Sequence, residues 1–246
     1  DMYLDENGEV IPNLSTKGAL ASGVPGTIAG IFEAQAKFGK LTPAEILQPV
    51  IDLARNGYIV SEKQAESLAR TRAEFIEVNG AETFFAQEYN AGDTLKIPVL
   101  AATLERIATN GREEFYTGET AKILAKNMQA KGGIISEEDL AAYQAAWRAP
   151  VVFPYRNMKI ISMAPPSSGG MTLAQILKMI EPYDLKKIGH HSPEYIQLLV
   201  EAERRAYADR NYYLGDPDFV KIPMDQLLDS LYLRSRMESF SMEKAT

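Results

Sequence analysis

The stretch "MAPPSSGGMTL", residues 163–173, sets two prolines, two serines and two glycines directly ahead of an apolar run with helical spacing. Such a stretch invites three chemistries: a phosphate cradle, a nucleophilic hydroxyl, or a turn that holds an anion. A P-loop needs Lys-Ser/Thr straight after its glycines, and a dinucleotide fingerprint needs Gly-x-Gly-x-x-Gly; neither spacing occurs. A nucleophile elbow reads Gly-x-Ser-x-Gly, yet prolines stand two residues before both Ser167 and Ser168. An activated hydroxyl also needs a general base, and the sequence offers few. What Ser167, Ser168, Gly169 and Gly170 do supply is a strand end stiffened by Pro165 and Pro166, hydroxyls able to cap a helix starting near Met171, and glycines that admit close backbone approach. Amides exposed at that helix start could also hold an anion. Structural capping and substrate contact therefore both stand as readings of these four residues.

Other reactive residue types are sparse. There is no cysteine, which excludes disulfides, thiol nucleophiles and thiolate metal sites. The only histidines, His190 and His191, are adjacent, whereas metal ligands are generally spaced to share one face; a loop before a helix is the favoured reading. Asp209, Asp216 and Asp218 resemble a set of metal oxygens, but "LGDPDF" lacks the alternating ligands of a calcium loop and reads as a turn. No metal site and no cofactor are expected. Glu201, Arg205 and Asp209 fall four apart on one helical face, the spacing of solvated pairs worth roughly 0.2–0.5 kcal/mol each. Tyr207, Tyr212, Tyr213 and Phe219 are expected to pack against the core.

The elements that must position these residues are mostly helical. Thr42, Pro43 and Glu45 form a capping box with proline at the first helical position, ahead of Ile46, Leu47, Val50, Ile51 and Leu53 as an apolar stripe; Pro49 is expected to bend that helix. Before it, Ile28, Ile31 and Phe32 share one side of a helix whose Gly26, Ala29 and Gly30 admit a neighbour. Ser61 with Gln64 opens a helix toward Val78, and further helices are expected over 98–108, 119–130, from Ser136, from Ser192 to about Tyr213, and within "IPMDQLLDSLYLRSRM". Between them "APVVFPYRNMKIISMAPP" changes period and reads as two strands split by the turn "YRN". The fold class is α+β and helix-rich, with helices over residues 20–145, strands over 149–163 and helices again over 171–240.

Composition sets limits. A chain of 246 residues, 46% hydrophobic and 24% charged, can bury a real core. A net charge of -7 with both signs interspersed excludes the clustered basic face of a nucleic-acid binder. No window approaches the ~20 apolar residues of a membrane span. The polar start "DMYLDENGEV" lacks signal-peptide regions, so the chain is expected to begin after processing or to be an excised piece.

The same stretches carry a resemblance. "APPSSGGMTLAQIL" is similar to the Pro-Pro-Pro-Ser-Ser-Gly-Gly signature in the large subunit of γ-glutamyltranspeptidases, also called glutathione hydrolases. "GEVIPN", "LASGVPGTIAGIFEAQAKFGKLTPAEILQPVIDLARNGYIVSE", "EEFYTGETAKILAKNMQAKGGIISEEDLAAYQAAWRAPV" and "EAERRAYADRNYYLGDPDFVKIP" agree in the same order, nearly end to end.

The resemblance implies an N-terminal nucleophile hydrolase. Its fold would be a four-layer αββα sandwich, to which residues 1–246 contribute part of the large subunit. A zymogen cuts itself, and the freed threonine of the small subunit attacks the γ-glutamyl carbonyl with its own amino group as base. The enzyme would hydrolyse γ-glutamyl bonds of glutathione and related compounds, or transfer the group to amino acids and peptides. That threonine stands in a Thr-Thr-His context in the family, and this sequence has no adjacent threonines; Thr246 follows "SMEKA" and is not the nucleophile. The family's oxyanion glycines and its carboxylate-binding arginine also fall outside residues 1–246. No catalytic residue is therefore assigned here, and Ser167, Ser168, Gly169 and Gly170 remain candidates near the site. The implied partners are the small subunit and a γ-glutamyl substrate, and the implied location is the periplasm or the medium. By itself the chain is expected to be inactive and to associate through strand edges. Two alternatives stand beside this reading: an acylase or γ-polyglutamate depolymerase of the same superfamily, and a non-catalytic helical binding module.

Overall fold

The computed structural model describes residues 2–245; Asp1 and Thr246 lie outside the described residues. The chain divides into two compact units, Asp1–Ala146 and Trp147–Thr246.

The first unit is built mainly of helices, three of which start on a side-chain cap. The helices are α1 (Thr27–Phe38), α2 (Pro43–Asn56), α3 (Glu62–Asn79), α4 (Pro98–Asn110), α5 (Arg112–Tyr116), α6 (Glu119–Ala130) and α7 (Glu137–Ala142), with short strands β1 (Tyr58–Ile59) and β2 (Thr94–Leu95) paired antiparallel. The Thr42 amide donates to Glu45 Oε2 (2.8 Å) and the Glu45 amide to Thr42 Oγ1 (3.3 Å), so the expected box caps α2, which runs on through Pro49. Ser61 caps α3, and Ser136 with Asp139 forms a second box on α7.

Two of the expected apolar stripes pack differently from their reading. Ile31, Ile46, Val50 and Leu53 are exposed, and the buried positions are Ala29, Ile51, Ala54 and Ala101. The reason is close packing: α2 meets α4 through Leu47, Ile51 and Ala54 against Ala101, Leu104 and Ala108, which leaves the other bulky side chains on the flank. At α1 the neighbour admitted by the small residues is a pair of tyrosines. Tyr116 Oη accepts from the Ala29 amide (3.0 Å) and donates to the Pro25 carbonyl (2.8 Å), and a Cβ on Gly26 would lie 2.0 Å from Tyr143 Oη. The five-residue α5, too short to leave a periodic signal, carries Tyr116 and the buried Glu114. Glu114 accepts from Arg106 Nε (2.8 Å) and Thr120 Oγ1 (2.9 Å), and the Arg106 guanidinium holds its carboxyl below the usual range.

In the second unit, β3 (Val151–Tyr155) and β4 (Met158–Ser162) form an antiparallel hairpin around Arg156–Asn157, with Arg156 at φ 52°. Val151, Phe153 and Tyr155 face inward onto α8 (Ser168–Ile180), where Ala174 joins them. On α8 pack α10 (Pro193–Tyr213) and α12 (Ser230–Arg236), with α9 (Leu185–Ile188) and α11 (Met224–Leu227) between, around Met179, Ile180, Leu198, Ala202, Ala206 and Leu233. The last helical run is split because Asp229 accepts from the Leu231 and Tyr232 amides (2.9 Å each) and so starts a new helix. The fold is α+β and helix-rich. Among the described residues each sheet has only two strands, so the four layers expected from the resemblance require strands from elsewhere.

Candidate functional site

The Ser167–Gly170 turn joins β4 to α8. The helix begins three residues earlier than expected, at Ser168, which puts both glycines inside its first turn. Ser167 alone acts as the cap, its Oγ accepting from the Gly169 amide at 3.2 Å; Ser168 is already helical. The Pro165–Pro166 bond is cis, and Ser162 Oγ donates to the Gly169 carbonyl at 3.2 Å, so the strand end and the helix start are joined directly. The two glycines differ in purpose. A Cβ on Gly170 would stand 2.1 Å from the Met163 carbonyl oxygen and 2.8 Å from Val151 Cβ, whereas one on Gly169 would meet nothing closer than 3.4 Å. Gly170 is required by backbone approach, and Gly169 is not. Among the described residues neither Ser167 nor Ser168 is hydrogen-bonded to a histidine, lysine or carboxylate.

Behind this turn lies a polar network that the sequence reading placed in solvent. Glu201, Arg205 and Asp209 are 3%, 5% and 5% exposed, on the buried stripe of α10 with Leu198, Ala202 and Ala206. Gln175 of α8, fully buried, donates to Asp209 Oδ2 and to the Leu227 carbonyl at 2.9 Å each. Tyr232 Oη donates to the same Oδ2 (2.9 Å), and Arg236 Nη2 lies 3.1 Å from Asp209 Oδ1. Arg205 forms an ion pair with Glu201, while its Nε donates to the Arg236 carbonyl (2.7 Å) and its Nη2 to Ser239 Oγ (2.9 Å). Burial first, and then the Asp209 carboxylate, push the Tyr232 hydroxyl up to about 12. Gln175 Oε1 and Arg236 Nε are buried without a hydrogen-bond partner among the described residues, so the network is nearly, not wholly, satisfied. A signal for it existed: Leu198, Ala202, Arg205, Ala206 and Asp209 share one helical stripe, and two alanines in that stripe mark close packing rather than solvent.

The remaining candidates separate. Arg148 forks onto Asp218 (2.7 and 3.1 Å), which holds the Asp218 carboxyl below its ordinary value, and the Phe219 and Val220 amides donate to the Asp216 carbonyl; this is the expected turn. Asp209, committed to α8 and α12, is not part of it. Among the described residues no group of three or more histidines, aspartates and glutamates is placed to hold a metal ion. His190 and His191 stack on each other (3.7 Å) beside Tyr195, in the loop before α10. Tyr207 and Tyr212 are exposed rather than packed on the core, because the opposite stripe of α10 is the buried one, and Phe219, in the turn after α10, is 86% exposed. A groove of about 450 Å³ beside the turn is lined by Trp147, Arg148, Pro165, Pro217, Val220 and Met224.

Comparison with known proteins gives this arrangement its relatives. The family model described as Gamma-glutamyltranspeptidase matches residues 1–246. The glutathione hydrolase proenzyme of Pseudomonas aeruginosa is 45% identical over 240 residues, covering 96% of this chain and 42% of that protein. The Escherichia coli K12 glutathione hydrolase proenzyme is 43% identical over 249 residues, covering 100% and 43%. The crystal structure of Helicobacter pylori γ-glutamyltranspeptidase superposes with a TM-score of 0.94 at 42% identity, over 100% of this chain and 71% of that one. The chain thus spans less than half the length of the curated relatives it matches. With a family match along every residue, and a shared backbone that includes the Ser167–Gly170 turn, the chain belongs to the γ-glutamyltranspeptidase family.

Proposed function

We propose that residues 1–246 form part of the large subunit of a γ-glutamyl hydrolase and transferase that acts on glutathione-like compounds. The observation that supports this is the family match over the whole chain. In this reading the precursor cleaves itself, and a threonine outside residues 1–246 becomes the new terminus of a small subunit. Its hydroxyl attacks the γ-carbonyl of the substrate while its amino group takes the proton; the bond to the leaving amine breaks, and water or an acceptor amine releases the γ-glutamyl group. Residues 1–246 contribute shape. Gly170 and the Ser167 cap hold the start of α8 against β4, and that turn forms a wall near the site without reacting itself. Export to the periplasm or the medium belongs to the same proposal and rests on kinship.

The test uses the full-length protein and a chromogenic γ-glutamyl anilide. The full-length protein is expected to split into two pieces and release the dye, and residues 1–246 alone to give no rate above buffer. Turnover by residues 1–246 alone would contradict the placement of the active site. Cleavage of a β-lactam acyl side chain without action on the anilide would make the protein an acylase instead.

A further inference from the structure

Past the end of α12 the chain has no regular secondary structure, and α10 holds it in place. Gln197, Glu201 and Arg205 stand four apart on one face of α10, and the first and last of them follow this stretch along about 12 Å of helix. Arg205 Nε donates to the Arg236 carbonyl (2.7 Å) and Arg205 Nη2 to Ser239 Oγ (2.9 Å). About two turns nearer the start of α10, Gln197 Nε2 donates to the Ser241 carbonyl (3.2 Å) and to the Lys244 carbonyl (3.0 Å). Between these anchors Phe240 packs on the core, its ring edge-on to Tyr183. Among the described residues no backbone group of residues 241–245 bonds to another backbone group, so the Gln197 amide supplies what a helix or sheet would otherwise supply. Gln197 is only half-buried, and it spends both amide hydrogens on this one irregular stretch.

We infer that Gln197 and Arg205 are positioning residues for self-cleavage: they fix residues 236–244 and so the approach of the chain to the bond that is cut. The inference rests on the proposed function. In that reading the cut frees the amino group of a threonine, so the large subunit, residues 1–246 included, precedes the cut, and residues 236–244 lie on its cut-facing side. Self-cleavage is intramolecular, and its rate depends on how well the reacting groups are held before the bond breaks. Ordering an irregular backbone costs conformational entropy, and a clamp that has already ordered it lowers the barrier to the reacting geometry. After the cut the reacting threonine belongs to the other piece, so the clamp ceases to bear on turnover. Gln197 and Arg205 take no proton and touch no substrate in this scheme; they act through the segment they hold.

The experiment follows the full-length precursor by pulse-labelling and gel analysis, then measures kcat and KM of the matured protein on a γ-glutamyl anilide. Gln197→Glu keeps the side-chain shape and removes both donors; it is expected to slow self-cleavage about tenfold, while the matured protein keeps the wild-type kcat, KM and urea midpoint. Gln197→Lys, which returns a donor, is expected to recover most of the rate. Ser239→Ala removes a hydroxyl that among the described residues bonds only Arg205, and is expected to slow cleavage about threefold; it carries the test if the position 197 variants do not fold. Wild-type cleavage rates in Gln197→Glu and Ser239→Ala, or a fall in kcat that matches the fall in cleavage, would overturn the inference and leave the proposed function standing. A wild-type precursor that never splits would overturn both.

Discussion

The two sides of the hairpin and helix layer in the second unit differ in kind. On the α10 and α12 side, Asp209 receives Gln175, Tyr232 and Arg236, and Gly170 touches the β4 backbone so closely that no side chain fits. On the outer side of the hairpin, Val152, Ile161 and Met163 are exposed, and among the described residues no third strand pairs with it. The closed side is specified by contacts within the unit and defines the turn. A region can therefore be closely packed on one face and open on the other, and the candidate turn sits where the two meet.

The comparison breaks most severely at Asp209. Asp209→Ala removes the buried carboxylate shared by the Arg236 guanidinium, the Gln175 amide and the Tyr232 hydroxyl, and removing one partner of a buried pair costs about 3–5 kcal/mol, to be read from urea unfolding. Next comes Gly170→Ala. Its new methyl meets a backbone carbonyl that cannot swing away, with an expected loss of about 2–3 kcal/mol, whereas Gly169→Ala gains about 0.5–1 kcal/mol from a better helix former. Equal effects at the two glycines would remove the claim that only one is sterically required.

The smallest effect is at Tyr232. Tyr232→Phe loses one hydrogen bond to a carboxylate, about 1.5 kcal/mol. Its pH dependence carries more information than its size. The folded hydroxyl is raised from 10.0 to about 12, so the folded state holds its proton where the unfolded chain has released it. That stability is fully present below pH 10 and is lost as pH rises through about 12. The wild type should therefore lose stability across this window, and the phenylalanine variant should show a shallower slope in alkaline urea titrations.

Much of the scaffold was legible because its signals are local. Thr42 with Glu45, Ser136 with Asp139, and Ser61 and Ser192 as caps act within one helical turn, so sequence spacing is sufficient. The hairpin was equally plain, since "YRN" interrupts two β-branched runs. What escaped depends on which face meets what. Glu201, Arg205 and Asp209 have the spacing of solvent pairs and also lie on the alanine stripe, and only packing against α8 and α12 decides between the two. Asp229 splits the last helical run by a cap that competes with an equally good helical pattern. At the turn, Ser167 as a cap was readable, but the helix start at Ser168 and the unequal glycines come from how near Met163 and Val151 approach. The family's reacting groups were absent from residues 1–246 in the reading itself, so site chemistry was legible here mainly by exclusion.

The central claim is that this part of the polypeptide shapes the γ-glutamyl site and does not react there. Labelling the full-length protein with an electrophilic glutamine analogue, followed by peptide mapping of the adduct, tests it most directly. The account predicts one modified residue, a threonine at the newly formed terminus outside residues 1–246. An adduct on Ser167 or Ser168 would contradict it.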